Sequence, residues 1–481
     1  MARDVVLAND NPMKKHRIFL SILASICSLQ AQAERPNIIY ILADDLGYGD
    51  LGCYGQKVIQ TPHLDKMAAE GIRFTDHYAG STVCGPSRSC LLEGKHSGNT
   101  YVRGNGHLQM REDPHEIIFP SALKQAGYHT AMIGKSGLGC NTDDASLAHK
   151  KGFDYFFGYT SHSAAHSYFP SYLWRNDAGV VTKVEYPNNA KHSGDSYSSE
   201  IVMKEALDYV DRQKDGPFFL HLALQIPHAS LVAKEEWKEK YRPILKEKLL
   251  PVREQGRGYT YEREPRTTFA AMVSYMDHNM GLLRKKLEDL GIAENTLIMF
   301  SSDNGAMNEG GHRRTSFNSS GELRGGKRDM YDGGVRTPMI AWWPGTIKPG
   351  QVSDHISAFW DISPTVRELA NAEAQADTDG ISLVSTLLGE GEQKKHKYLY
   401  WEFYEQGGKR AIRQGKWKLV LFKTNTDLNP KMELYDLSQD ISERKNLLKQ
   451  YPELVSELLA TMDSAHSPAE HKIFKLARER K

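Results

Sequence analysis

The chain is poor in cysteine, with 5 among 481 residues. Cys27 falls in an amino-terminal segment that reads as a leader, leaving Cys53, Cys84, Cys90 and Cys140. Four are too few for a disulfide scaffold, although one pair drawn from Cys53, Cys90 and Cys140 stays open. An excess of one charge is also missing: 61 Lys and Arg face 60 Asp and Glu, +1 overall, so nothing in the charge balance calls for nucleic acid as a partner. No apolar run is long enough to span a membrane; the stretch from Ile18 to Leu29 is too short. A hydrophobic content of 40% and a charged content of 25% are ordinary for a globular chain, and the length accommodates one large domain and a smaller one.

What is present begins with Met13-Lys14-Lys15-His16-Arg17, the apolar run behind it and Ala31-Gln32-Ala33. These are the three parts of a secretory signal with a start at Met13 and cleavage after Ala33, which predicts a periplasmic or secreted protein.

Further on, Asn37–Ala43 is a continuous β-branched run suited to a strand buried on both faces, and it ends in Asp44-Asp45. Residues 296–302 repeat that design and end in Asp303-Asn304. Three carboxylates and one carbonyl oxygen make a hard donor set that suits Ca²⁺ or Mg²⁺ rather than zinc. Two more apolar runs end in Lys135 and in His228, and in open α/β sheets such ends converge on one crevice. Helical patterns over 121–126, 198–212 and 267–290 alternate with these strands, which predicts a three-layer α/β domain. After the polar stretch 390–396, strand patterns over 398–403, 409–412 and 416–422 predict a small antiparallel sheet, closed by a helix over 452–462. The basic tail 472–481 reads as a solvated end.

Cys84-Gly85-Pro86-Ser87-Arg88, followed by two leucines, places a thiol at the first turn of a buried helix, with proline expected at the first helical position. The free amides and dipole of that turn would lower the thiol's pKa. The paired glycines beside Lys327 would let the backbone approach an anion, with the lysine as a point charge.

Cys84-Gly85-Pro86-Ser87-Arg88 resembles the Cys-x-Pro-Ser-Arg signature of the type I sulfatases, and Gly94-Lys95-His96-Ser97-Gly98, Asp44-Asp45, Asp303-Asn304 and Leu323 to Pro338 match further elements of that family. The resemblance covers roughly residues 35–440. It implies an alkaline-phosphatase-like three-layer sandwich around a large mixed sheet (34–389) and a smaller carboxyl-terminal α+β domain on an antiparallel sheet (390–481). It also implies that a maturation enzyme oxidises Cys84 to formylglycine, and that Asp44, Asp45, Asp303 and Asn304, with residue 84, hold Ca²⁺, with Mg²⁺ as second choice. By the same resemblance Lys135 and Lys327 hold sulfate, Arg88 braces the nucleophile, His228 is the acid and His312 faces the substrate; His166, in the aromatic-rich stretch 153–174, is expected to touch substrate by its place in the sequence alone. One departure stands out. Where many relatives read Gly-Lys-Trp-His, this chain reads Gly134-Lys135-Ser136-Gly137, so the base must come from elsewhere, with His162 and His166 as candidates. The expected activity is hydrolysis of sulfate esters on a sulfated carbohydrate, of galactose or N-acetylgalactosamine type, in polysaccharide degradation. A phosphate-ester hydrolase of the same superfamily, or a degenerate sulfatase that binds sulfated glycans, are the alternatives.

Overall fold

The run Ile38 to Ala43 is buried along its whole length, but its residues divide by parity. Ile39, Ile41 and Ala43 enter one hydrophobic core and Ile38, Tyr40 and Leu42 another. That is the two-residue period of a strand with both faces covered. The computed structural model describes Met1 and residues 35–480 apart from 113–117, 140–143, 191–192 and 252–258; the rest of the leader read at 1–33, and Cys140, lie outside the described residues.

Strand β1 (Asn37–Ala43) sits near the middle of a ten-stranded sheet. On one side it pairs in parallel with β8 (Phe218–Ala223), then come β4 (His129–Lys135) and β5 (Tyr155–Tyr159), also parallel. Beyond them β6 (Tyr172–Asp177) and β7 (Val180–Glu185) form an antiparallel edge. On the other side β9 (Thr296–Ser302) is parallel to β1, β10 (Met339–Trp342) antiparallel, and β2 (Ile72–Phe74) and β11 (Gln351–Ser353) complete the order. The two cores cover the two faces. Helices Pro265–Asp289, Ser198–Gln213 and Pro62–Glu70 contribute to one; Phe119–Gln125, Cys84–Glu93 and Ile362–Leu369 contribute to the other. The expected three layers are therefore present, around a sheet that is mixed at both margins.

A short pair, β3 (His77–Tyr78) with β12 (Ser357–Ala358), leads to the second sheet. That sheet is antiparallel in the order β13 (Leu399–Phe403), β14 (Lys409–Gln414), β15 (Trp417–Phe422) and β16 (Lys431–Asp436). The fourth strand was not foreseen, and helix Pro452–Ala465 packs on this sheet through Val455, Leu458 and Met462.

The carboxyl-terminal tail departs from the solvated end expected of it. Phe474 and Leu476 are buried, and His466 reaches Glu402 Oε1 with Nδ1 at 2.5 Å and Glu479 Oε1 with Nε2 at 2.8 Å. Apolar residues spaced among the lysines outweigh the charge of the stretch. No helix among the described residues is long and apolar enough to cross a membrane.

Candidate active site

Parallel neighbours in the sheet end at one edge, and that edge carries the polar residues. Asp44 and Asp45 follow β1, Asp303 and Asn304 follow β9, Lys135 ends β4, and His228 lies in the turn after β8. The register continues past the strand ends: Asp303 N–H donates to Ala43 O at 3.0 Å and Asp44 N–H to Ile226 O at 3.2 Å. Asp45 takes a left-handed backbone, φ 67°, a conformation Asp tolerates better than most residues. Its N–H thereby donates to Asp303 Oδ1 at 3.1 Å. Asp44, Asp45, Asp303 and Asn304 are all fully buried.

Cations meet these acids one by one. Lys135 Nζ is 2.6 Å from Asp44 Oδ2, and Lys327 Nζ is 2.7 Å from Asp45 Oδ2 and 2.8 Å from Glu309 Oε2. Arg88 donates to Asp303 Oδ2 through Nε at 3.1 Å and a terminal nitrogen at 2.8 Å, and its other terminal nitrogen holds Lys135 O at 2.8 Å. Glu309 was missed by the sequence reading; an acid in a glycine-flanked turn carries no signal that it will reach a lysine 18 positions on.

The acids are nevertheless undersupplied with positive charge. Burial pushes Asp303 up to about 6, reinforced by Asp44 and opposed by Arg88 and Lys135. Burial also raises Asp45, against the pull of Lys327. Asp44 Oδ1 and Asn304 Oδ1 are buried without a hydrogen bond, where such oxygens nearly always have one. Single donor atoms of Asp44, Cys84 and Asp303 lie within 4.8 Å of one another, and so do those of Asp44, Asp45 and His228. Unused oxygens beside strained carboxylates fit a hard divalent cation.

The helix Cys84–Glu93 begins at Cys84 itself, after Val83 in extended conformation. Pro86 is therefore its third residue and not its first, still within the turn where an N–H has no intrahelical partner. The thiol is 1% exposed. Its pKa runs against the expectation: burial pushes it up to about 11, with Asp44 and Asp303 adding to that and Lys135 opposing. Desolvation outweighs the helix end, so a thiolate is not the group this pocket favours.

His162 Nε2 stands 3.5 Å from Cys84 Sγ, and its Nδ1 is 3.2 Å from Gly137 O. Gly137 has φ 72°, and a Cβ there would lie 2.3 Å from Arg88 Cδ. A histidine at 137 would displace the arginine that clamps Asp303; instead a histidine arrives from the loop after β5. His166, the other candidate, stacks on His228 with ring centroids 4.6 Å apart and planes 11° apart. Burial lowers His162 to about 2 and His166 to about 3, with Lys135 adding to both. His228 Nε2 lies 3.4 Å from both Asp45 Oδ2 and Lys327 Nζ, and its pKa falls well below the usual value through burial, Lys327 and Lys135. Tyr259 stands edge-on to His166 and His228.

His312 takes a different place. It is 2% exposed, stacks on Phe269 at 3.9 Å and 11°, and makes no hydrogen bond through either ring nitrogen. Cys53, Cys84 and Cys90 are free thiols.

Residues 36–372 match the family model described as sulfatase, and residues 325–467 that described as N-sulphoglucosamine sulphohydrolase, C-terminal. The chain is 33% identical over 398 residues to N-acetylgalactosamine-6-sulfatase of Canis lupus familiaris, covering 78% of this chain and 70% of that protein. It is 32% identical over 472 residues to arylsulfatase A of Homo sapiens, covering 89% and 86%. Among solved structures, Ps i-CgsB in complex with k-i-k-neocarrahexaose superposes with a TM-score of 0.72 at 26% identity, covering 90% of this chain and 92% of that one.

Proposed function

The chain belongs to the sulfatase family, and from that premise we propose how the edge of its sheet hydrolyses a sulfate ester. The enzyme is a sulfuric ester hydrolase acting on sulfated carbohydrate. The observation that carries the reading is the meeting of Cys84 with Asp44 and Asp303 around one point. Cys84, matured to formylglycine, would supply the oxygen nucleophile, while Ca²⁺, or less readily Mg²⁺, held by Asp44, Asp45, Asp303 and Asn304 beside residue 84, would supply the charge that polarises a sulfate oxygen.

The remaining work belongs to the side chains. Lys135 and Lys327, pre-aimed by Asp44 and Asp45, hold the sulfate oxygens and stabilise charge that develops there. Arg88 fixes Asp303 and, through Lys135 O, the end of β4. His162, next to residue 84, takes the nucleophile's proton; it fills the role that Gly137 leaves open. His228 gives a proton to the leaving oxygen. Its Nδ1 faces Ala229 O, leaving Nε2 toward the cleft, and a sulfate ester's negative charge beside Nε2 favours the protonated ring that the free protein's lysines disfavour.

The N-acetylgalactosamine-6-sulfatase and neocarrahexaose relatives support a galactose or N-acetylgalactosamine sulfate as substrate. The segment Met13 to Ala33 supports action outside the cytoplasm. The test is twofold: intact mass of the peptide carrying residue 84, and sulfate release from sulfated galactose and N-acetylgalactosamine oligosaccharides by the purified protein. An unconverted thiol in fully active protein would refute the nucleophile; absence of sulfate release by converted protein would refute the substrate class.

A further inference from the structure

Behind the loop that carries His162 and His166 the surface opens into a cavity of about 420 Å³. One short stretch forms the partition. His162 and His166 turn toward Cys84 and His228, while Ser161, Ala164 and Ser167 of the same stretch line the cavity. Tyr172, Trp174 and Phe169 also line it, with the amide-bearing Asn189 among them.

Sheet register explains the proximity. Lys135 pairs with Tyr159 at the carboxyl end of β5, and β6 runs back antiparallel with Trp174 opposite Gly158. Tyr172, where β6 begins, is thus delivered to the edge that carries Lys135, two strands away and about 10 Å at ordinary strand spacing. Its ring is 41% exposed, stands edge-on to Trp174 at 5.7 Å, and has the Lys183 ammonium 4.6 Å from its centre. Flat apolar faces interspersed with the hydroxyls of Thr160, Ser161 and Ser171 suit a ligand that is apolar on its ring face and hydroxylated at its rim; the Asn189 amide is spent on Pro170 O and the Ser196 backbone. The Lys183 ammonium is paired with Glu185 Oε1 at 2.8 Å, so among the described residues the cavity offers ring faces and hydroxyls and no free charge.

We infer that this cavity is a second saccharide subsite, which holds the sugar next to the unit whose sulfate meets Lys135 and Lys327. The inference rests on the saccharide reading above and adds the direction in which the rest of the substrate leaves the cleft, over the histidine loop toward β6.

The test compares sulfate release from a sulfated galactan hexasaccharide, the sulfated monosaccharide of the same repeat and 4-nitrophenyl sulfate, with mature full-length enzyme. The quantity read is the ratio of kcat/KM on the hexasaccharide to that on the monosaccharide. It should exceed one in the wild type, fall about tenfold in Tyr172→Ala and in Trp174→Ala through a higher KM on the longer substrate, and survive in Tyr172→Phe. A wild-type ratio of one, or a ratio unchanged in both alanine variants, overturns the subsite. Wild-type activity on 4-nitrophenyl sulfate but on neither saccharide overturns it together with the carbohydrate assignment, yet leaves the chemistry at residue 84 intact. Silence on all three overturns the proposed chemistry and the subsite with it.

Discussion

Two buried clusters of opposite charges lie within this molecule, and they are alike in composition but not in state. One is the edge group of Asp44, Asp45, Asp303, Arg88, Lys135 and Lys327. The other joins the small sheet to the large one: Lys418 Nζ is 2.6 Å from Asp332 Oδ1 and 3.0 Å from Glu443 Oε1, Arg336 and Arg413 each reach Asp76 at 2.8 Å, and Tyr78 donates to Asp332 Oδ2 at 2.8 Å. Burial alone would raise Asp332, yet Lys418, Arg336 and Arg413 outweigh it and hold that acid well below the carboxylate range. At the edge, burial wins and Asp45 and Asp303 go up. In the joint fixed cations hold Asp332 down, although burial still pushes Glu443 beside it up to about 7; at the edge two acids are raised, and Asp44 Oδ1 and Asn304 Oδ1 have no hydrogen bond, which leaves that group more open to charge from outside. A buried ion cluster whose carboxylates are left raised in numbers points to function more than one whose main acid is held down.

The sharpest separation should come from Cys84→Ala. Sulfate release should fall by about 10⁴-fold or more, with the thermal midpoint nearly unchanged, measured by ion chromatography and calorimetry; residual activity near the wild type would dissolve the contrast. Lys418→Met should do the reverse. Leaving Asp332 and Glu443 without their cation should cost roughly 3–5 kcal/mol of stability in denaturant titrations, while kcat per folded molecule holds.

A smaller effect should follow metal removal. Protein stripped with a chelator should gain about 2.7 kcal/mol on addition of Ca²⁺ at a hundredfold excess over its Kd. Scanning calorimetry should show that gain lost in Asp303→Asn and retained in Lys418→Met. The smallest effect concerns the tail. Burial alone would lower the pKa of His466, but Glu402 and Glu479 outweigh it and raise it above 6.5. A raised histidine stabilises fully below its unfolded value and loses that contribution as pH rises through the folded one. The thermal midpoint should therefore drop by roughly 1–2 °C more between pH 6 and pH 9 in the wild type than in His466→Gln; equal drops would remove His466 from the account.

The parts of the site that were readable in the sequence are those set by local pattern. Apolar runs ending in Asp44-Asp45, Asp303-Asn304, Lys135 and His228 announce both strand and functional end, because a strand's last residue sits at an edge wherever the strand goes in the sheet. The start of the helix at Cys84 was equally readable, though its proline is two positions removed from the expected place. What stayed hidden depends on packing between distant segments. Whether His162 or His166 faces residue 84 turns on the path of a loop, and the pairing of Glu309 with Lys327 on a second. The fate of the Cys84 proton was misjudged because a helix end is visible in sequence and desolvation is not. Strands β2, β6, β7 and β11 are short or polar margins that lack the apolar run by which the central strands declare themselves.

Residue 84 is covered on every side once the sheet has closed, at 1% exposure on the first turn of a helix that is buried throughout. The oxidation we propose for it needs an enzyme to grip the surrounding peptide, so it must happen while that peptide is still slack. On that proposal the architecture would impose an order of events: conversion first, folding second. A molecule that folded with its sulfur intact would then be a well-formed but silent copy, and supplying the converting enzyme afterwards should revive it only if the chain is unfolded again.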